Sequence, residues 1–347
     1  MSLTQTSPQA GALSPERIFE TLVAFQQSAA MKAALELDVF SAIGAGAAKL
    51  PALAEKTKAS QRGLRILCDF LVIHGFLTKA DGAYGLTPES ATFLDQRSPA
   101  YLGGVRHFLQ GPMIVESCQD LTAVVREGTT RLAGQGSVEP DNPSWVEFAR
   151  SMAALMRPAA QGIADLLGGS QASEQPWRVL DLAAGHGLFG ITIAQRYPKA
   201  QITAQDWKAV LEVAQENARA AGVQDRYTLL PGDAFKVDFG SGYDVVLATN
   251  FLHHFDPPTC ETLLRKIHAA LKPGGRCITL EMVPNEDRVS PAMQASFALM
   301  MLATTPAGDA YPYSEYDTMF RNAGFSRNEL HRPPGSPGAV IVSTRDH

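Results

Sequence analysis

The chain has 347 residues, 45% of them apolar and 19% charged, with a formal net charge of −5. That length supports two domains with cores of their own, and the acidic balance argues against nucleic acid or an anionic membrane as partner. No apolar run approaches the roughly 18–20 residues that span a bilayer. The polar start Met1–Ala12 lacks a secretory pattern, and Cys68, Cys118, Cys260 and Cys277 are too scattered for a disulfide framework or a zinc site. A cytoplasmic protein with reduced thiols and no metal is the expectation.

Residues 1–13 read as a disordered tail. Ser14-Pro15-Glu16 starts a helix, with Ser14 placed to cap and Pro15 suited to the first turn. From Ile18 to Phe40 apolar residues recur at helical spacing, and two shorter helices follow at Leu50–Lys58 and Ser60–His74. Gly75 to Thr87 alternates around Asp81-Gly82, a hairpin signal. Helices followed by a hairpin give residues 14–100 a winged-helix pattern. The third helix carries only Arg62 and Arg65 as cations and is apolar over much of its length. A helix that reads a DNA groove needs a basic, polar face, so this one is expected to pack against protein.

Residues 101–172 continue in helical pattern, with a break at Gly134-Gln135-Gly136 and a helix start at Asn142-Pro143. Trp145, Phe148, Met152 and Met156 fall on one face of the last helix there. From 173 to 347 strands alternate with helices, as in a parallel α/β sheet. Strands are expected at Arg178–Ala183, Gln201–Gln205, Tyr227–Leu230, Tyr243–Thr249, Arg276–Met282 and Val340–Thr344.

Gly185-His-Gly187-Leu-Phe-Gly190 follows the first of these strands and opens a helix, and Asp206 ends the next strand. Alone, this spacing also fits a dinucleotide site, with the acid on a ribose. Three features favour S-adenosyl-L-methionine instead. Asp181 lies inside the strand, where an acid can help orient an ammonium. Pro231-Gly232-Asp233-Ala234-Phe235 offers a carboxylate and an aromatic face to an adenine. The unit also begins only near residue 178, after a long helical region.

Val179-Leu-Asp-Leu-Ala-Ala-Gly-His-Gly187, Gln205-Asp206, Gly232-Asp233-Ala-Phe235 and Leu271-Lys-Pro-Gly-Gly275 resemble, in order and spacing, the class I S-adenosylmethionine methyltransferases. With the winged N-terminal region, the chain from about residue 15 resembles small-molecule O-methyltransferases of the caffeic acid, hydroxyindole and bacterial-antibiotic type. The resemblance implies a Rossmann-like domain with a mainly parallel seven-stranded sheet, preceded by an α-helical winged-helix dimerisation domain. It implies an intertwined homodimer whose N-terminal domain helps close the partner's substrate pocket. It places Ala183, Gly185 and Gly187 at the methionine end of the cofactor, Asp206 on the ribose hydroxyls and Trp207 over adenine. Asp233 would meet the adenine amino group beside Gly232, Ala234 and Phe235, with Met152 and Met156 approaching from the preceding helix. At Thr249-Asn250 the chain departs from plant relatives, which carry a lysine for the cofactor carboxylate.

Methyl transfer to a phenol needs positioning and removal of a proton. Histidine matches that task at neutral pH. In Asn250-Phe-Leu-His253-His254-Phe-Asp256, His253 falls on the family's basic histidine, Glu281 on the acid that orients it, and a second acid falls near Asp309. His254 replaces the usual aspartate, and two histidines packed at a strand end would look the same in sequence. Phe108, Met113, His254, Phe297, Met301 and Thr305 are the candidates for a pocket holding an aromatic or polyketide-like acceptor. The expected reaction is O-methylation of a phenolic or enolic secondary metabolite. N- or C-methylation, or non-methylating chemistry on the same cofactor, is the alternative.

Overall fold

Along β3 (Arg178–Leu182) side chains alternate faces, and the sequence supplies apolar groups to both. Val179 joins one cluster with Ile163, Ile193, Tyr197 and Ile202, while Leu180 and Leu182 join another with Val246, Leu263 and Phe320. The sheet is therefore buried on both sides. The computed structural model describes residues 13–168 and 175–346. The tail expected at 1–13 lies outside the described residues except for Leu13, as does the boundary expected at 172–173. The chain divides into two compact units, up to Gly103 and from Gly104 onward.

The first unit holds helices α1 (Glu16–Leu22), α2 (Phe25–Glu36), α3 (Val39–Gly44), α4 (Leu50–Thr57) and α5 (Gln61–Ile73). Strands β1 (Leu77–Ala80) and β2 (Ala83–Leu86) and helix α6 (Pro88–Phe93) follow. Ser60 caps α5 by accepting the Gly63 amide at 3.1 Å. β1 and β2 pair antiparallel across Asp81-Gly82, both at positive φ (51° and 74°), as a two-residue hairpin turn requires. Val39, Phe40, Leu53, Leu64, Cys68, Leu71 and Tyr84 form its core.

The second unit begins with helices α7 (Arg106–Leu109), α8 (Pro112–Ser117), α9 (Leu121–Glu127), α10 (Ser144–Ser151) and α11 (Ala153–Leu167). The face expected to run from Trp145 to Met156 is divided at Met152, which ends α10 and starts α11. There the Ser151 hydroxyl turns back on the Glu147 carbonyl at 2.7 Å, a contact that bends helices.

After β3 come α12 (Leu188–Arg196), β4 (Gln201–Asp206), α13 (Lys208–Ala220), β5 (Tyr227–Pro231), β6 (Tyr243–Thr249) and α14 (Pro257–Ala270). They are followed by β7 (Leu271–Glu281), α15 (Ala292–Thr304), α16 (Tyr313–Asn322), β8 (Arg327–His331) and β9 (Ala339–Thr344). The seven-stranded sheet has the order β5-β4-β3-β6-β7-β9-β8. Pairings from β5 to β7 are parallel, and β9 runs antiparallel to both β7 and β8. Strand order reverses between β3 and β6, which opens a crevice beyond their carboxyl ends.

Candidate active site

One cavity of about 760 Å³ occupies that crevice, in the upper part of the size range of small-molecule sites. Its floor comes from the segments leaving β3, β4, β5 and β6, and its other walls chiefly from α7, α8, α10, α11, α15 and the loop before α10.

At the β3 exit, Ala183, Gly185 and Gly187 hold φ of 50°, 56° and 73°. Left-handed backbone is cheap for glycine and costs about 1 kcal/mol or more for alanine. A Cβ on Gly185 would stand 3.6 Å from the Phe148 ring, so glycine keeps the gap between loop and helix open. Gly187 is the N-cap of α12 and faces the interior, where a Cβ would approach the Tyr227 hydroxyl to 2.5 Å.

Asp206 ties the loop down: Oδ2 accepts the Gly185 amide at 2.8 Å and Oδ1 accepts the Trp207 amide at 2.7 Å. Burial raises its pKa to about 6. Gln205 donates to the Gly232 carbonyl at 2.5 Å and accepts the Ala183 amide at 3.4 Å. It thereby joins three strand exits, a role that the segment Gln205-Asp206 marks in sequence by position and not by contact. Asp181 does not line the cavity. Its Oδ2 accepts the Gly190 amide at 2.9 Å behind the loop, and burial raises its pKa to about 7.

Trp207, Gly232, Asp233, Ala234, Phe235, Thr249 and Asn250 all line the cavity, as do Met152 and Met156. Asn250 takes φ 53°, and its amide nitrogen lies 3.9 Å from the Met156 sulfur. His186, not singled out from sequence, lines the loop as well. Its Nδ1 accepts the Leu188 amide at 3.1 Å, and burial lowers its pKa to about 4.

On the other side His253 also lines the cavity, on the turn after β6. Its Nδ1 is hydrogen-bonded to Glu281 Oε2, and Glu281, wholly buried at the end of β7, accepts the Phe251 and Leu252 amides through Oε1 at 3.1 and 2.8 Å. The acid thus fixes both the imidazole and the turn that carries it, and directs Nε2 away from itself. Asp309 is not brought to the imidazole. Its amide donates to the His253 carbonyl at 3.0 Å, while its carboxylate pairs with Arg288 at 3.0 Å. The cation on the loop after β7 draws the acid off.

His254, Phe108, Met113, Phe297 and Met301 line the acceptor side. The Phe297 ring meets His253 edge-on at 4.9 Å. Thr305 lies outside the lining, buried, its hydroxyl accepting the Gly308 amide at 2.7 Å. Trp145 and Phe148, read from sequence only as a helix face, complete the wall. Among the described residues no group of three or more His, Cys, Asp or Glu is arranged to hold a metal ion, and no helix is long and apolar enough to cross a membrane.

A glycine-bearing turn with left-handed backbone, an acid at the tip of the next strand and an adjoining apolar pocket with a histidine define a Rossmann-like nucleoside-cofactor domain. The chain belongs to the O-methyltransferase family: the O-methyltransferase domain model matches residues 152–326 and the O-methyltransferase dimerisation domain model residues 19–96. It is an S-adenosylmethionine-dependent methyltransferase. A solved Nostoc punctiforme structure assigned to the O-methyltransferases is 49% identical with a TM-score of 0.92, covering 96% of this chain and 100% of that one. The tetracenomycin polyketide synthesis 8-O-methyl transferase TcmO of Streptomyces glaucescens is 27% identical over 326 residues, 92% of this chain and 94% of that protein. The structure of PigF with SAH, a Serratia protein, is 25% identical with a TM-score of 0.82, covering 96% and 100%.

Proposed function

We propose that this protein methylates a phenolic or enolic hydroxyl of a small aromatic, polyketide-like metabolite, with His253 as general base, and that it does so as a homodimer. The observation that carries the reading is the buried His253–Glu281 pair at the cavity wall. TcmO, named for a polyketide pathway, supports the acceptor class, and the match to a dimerisation domain supports the dimer.

The residues at the β3, β4 and β5 exits fit the cofactor. Asp206 is assigned to the ribose hydroxyls, Trp207 and Phe235 to the adenine faces, and Asp233 to the adenine amino group. Ala183, Gly185 and Asn250 are assigned to the methionine end. When bound, the cofactor supplies a methyl group on a sulfonium, already activated for displacement.

The protein's own task is to deliver an oxygen nucleophile. With Glu281 accepting the Nδ1 proton, Nε2 of His253 presents a lone pair toward the cavity. A phenol, with an ordinary pKa of about 10, gives its proton to that nitrogen as the oxygen attacks. Glu281 steadies the imidazolium that forms. The walls of Phe108, Phe297 and Met301 hold the ring and exclude water, so the phenolate is not stabilised by solvent.

The test is incubation with methyl-labelled S-adenosylmethionine and a panel of phenols, amines and enolisable acids, with product position read by mass spectrometry and NMR. Labelled O-methyl product is the expected result. Label on nitrogen or carbon alone would overturn the reading.

A further inference from the structure

The cavity carries polar atoms that the fold leaves without partners. Eight buried side-chain nitrogens or oxygens have none among the described residues, and three of them belong to residues lining the cavity: Ser137 Oγ, His186 Nε2 and His254 Nδ1. His186 sits in the glycine loop, on the cofactor side. Ser137 and His254 each touch Trp145. The indole N–H donates to the Ser137 carbonyl at 2.8 Å, and the indole meets the His254 ring edge-on at 5.1 Å. Buried polar atoms normally find partners. An orphan on a residue that lines a cavity points to a partner supplied by a ligand.

The chemistry of that ligand follows from the neighbours. The rings of His253 and His254 lie 4.3 Å apart, so a group meeting His254 stands next to the one meeting His253. Burial and the adjacent His253 hold the His254 pKa well below the ordinary imidazole value, and the ring stays neutral. A neutral imidazole has one N–H and one lone pair, so it pairs with a hydroxyl in either tautomer and with a carbonyl through its N–H. The facing surface, Phe297, Met300 and Met301, is apolar.

We propose that His254, supported by the Ser137 hydroxyl, recognises a second oxygen on the acceptor. The substrate is then an aromatic with two oxygens on neighbouring ring carbons or across the peri positions of fused rings, one methylated and the other held. The inference rests on the proposed O-methylation, because it uses His253 to locate the reacting hydroxyl.

The experiment is calorimetric titration of the full-length protein, loaded with S-adenosylhomocysteine, with 2,3- and 1,8-dihydroxynaphthalene and with their monohydroxy partners 2-naphthol and 1-naphthol. One dihydroxy probe should bind about tenfold to a hundredfold tighter than its monohydroxy partner, since the oxygen that the partner lacks leaves buried polar atoms unpaired. His254→Leu should collapse that ratio to about one. His254→Asn, which restores a neutral donor and acceptor, should recover part of it, and Ser137→Ala should lower it by a few-fold. Equal affinities within both pairs in the parent protein, including no measurable binding of any probe, would overturn the assignment. So would a ratio that survives His254→Leu. His253→Ala separates the two readings: full methyl transfer by that variant removes the general base, while the affinity ratio still judges His254.

Discussion

Glu281 holds His253 through one carboxylate oxygen and the turn that carries it, at the Phe251 and Leu252 amides, through the other. Removing the imidazole with His253→Ala should lower kcat by about 10²–10⁴-fold, the usual worth of a general base, with little change in KM. Glu281→Gln is the more specific test. Its amide oxygen can still accept the backbone amides, but its NH₂ then faces Nδ1 as a donor and drives the proton to Nε2. A base in the wrong tautomer cannot take the phenol proton. The variant should fold with a near-normal melting temperature yet lose at least about 10²-fold in kcat. Steady-state rates beside thermal melts check both outcomes.

Asp206 accepts two amides and still lines the cavity, with a pKa raised to about 6 by burial. If its ionised carboxylate receives the ribose hydroxyls, protonation competes with the cofactor. Affinity for S-adenosylhomocysteine should be flat above about pH 7. It should then weaken as pH falls through 6, by up to about tenfold per pH unit below it. Asp206→Asn should bind more weakly throughout and lose that slope. Calorimetric titrations from pH 5 to 8 on the two proteins decide it.

Legibility in the sequence followed the physics of burial. Strands β3 to β7 and β9 are apolar enough to stand out. The edge strand β8, Arg-Asn-Glu-Leu-His, pairs on one side only and has no apolar run to announce it. The start of β7 was also hidden, since Leu271 pairs with Tyr243 across an irregularity before Arg276 resumes the register. The glycine loop and Asp206 were readable because they lie at strand ends, and His253 and Glu281 because the family pattern also falls at strand ends. Asp309 was not placed, because its direction depends on Arg288, 21 residues away and unmarked by any motif. Ser137 went unread, and Trp145 was read only as part of a helix face, for the same reason: long-range packing, not local pattern, brings them to the cavity.

Asp181 shows how alternation along a strand decides a role. It shares the face of Val179, where α12 packs, so its carboxylate reaches the Gly190 amide and not the cavity. Its pKa is raised to about 7, chiefly by burial, against about 3.9 for an unfolded aspartate. The native state therefore binds the extra proton between those values. The contribution of Asp181 to stability is fully present below about pH 4 and is lost as pH rises through 7. Asp181→Asn keeps an acceptor for Gly190 and cannot ionise. The melting temperature of the variant relative to the parent should rise between pH 5 and pH 8. A constant difference across that range would show that Asp181 does not titrate there.

The last prediction concerns the first two helices. In α1 and just beyond, Ile18, Phe19, Leu22 and Phe25 are 63%, 62%, 68% and 69% exposed in the single chain, and α1 has no buried residue. Their spacing of one, three and three residues places them along one side of the helix and its continuation. An exposed apolar stripe on this scale marks an association surface, and Phe19 and Leu22 fall within the match to the dimerisation domain. In a two-fold interface each substitution acts twice, so Phe19→Glu with Leu22→Glu brings four carboxylates into the contact. Their desolvation and mutual repulsion oppose association, while the core of the single unit, centred on Phe40, Leu53, Leu64 and Tyr84, is untouched. Light scattering after size exclusion should show a dimer for the parent and a folded monomer for the double variant. Persistence of the dimer would place the interface on another face of the chain.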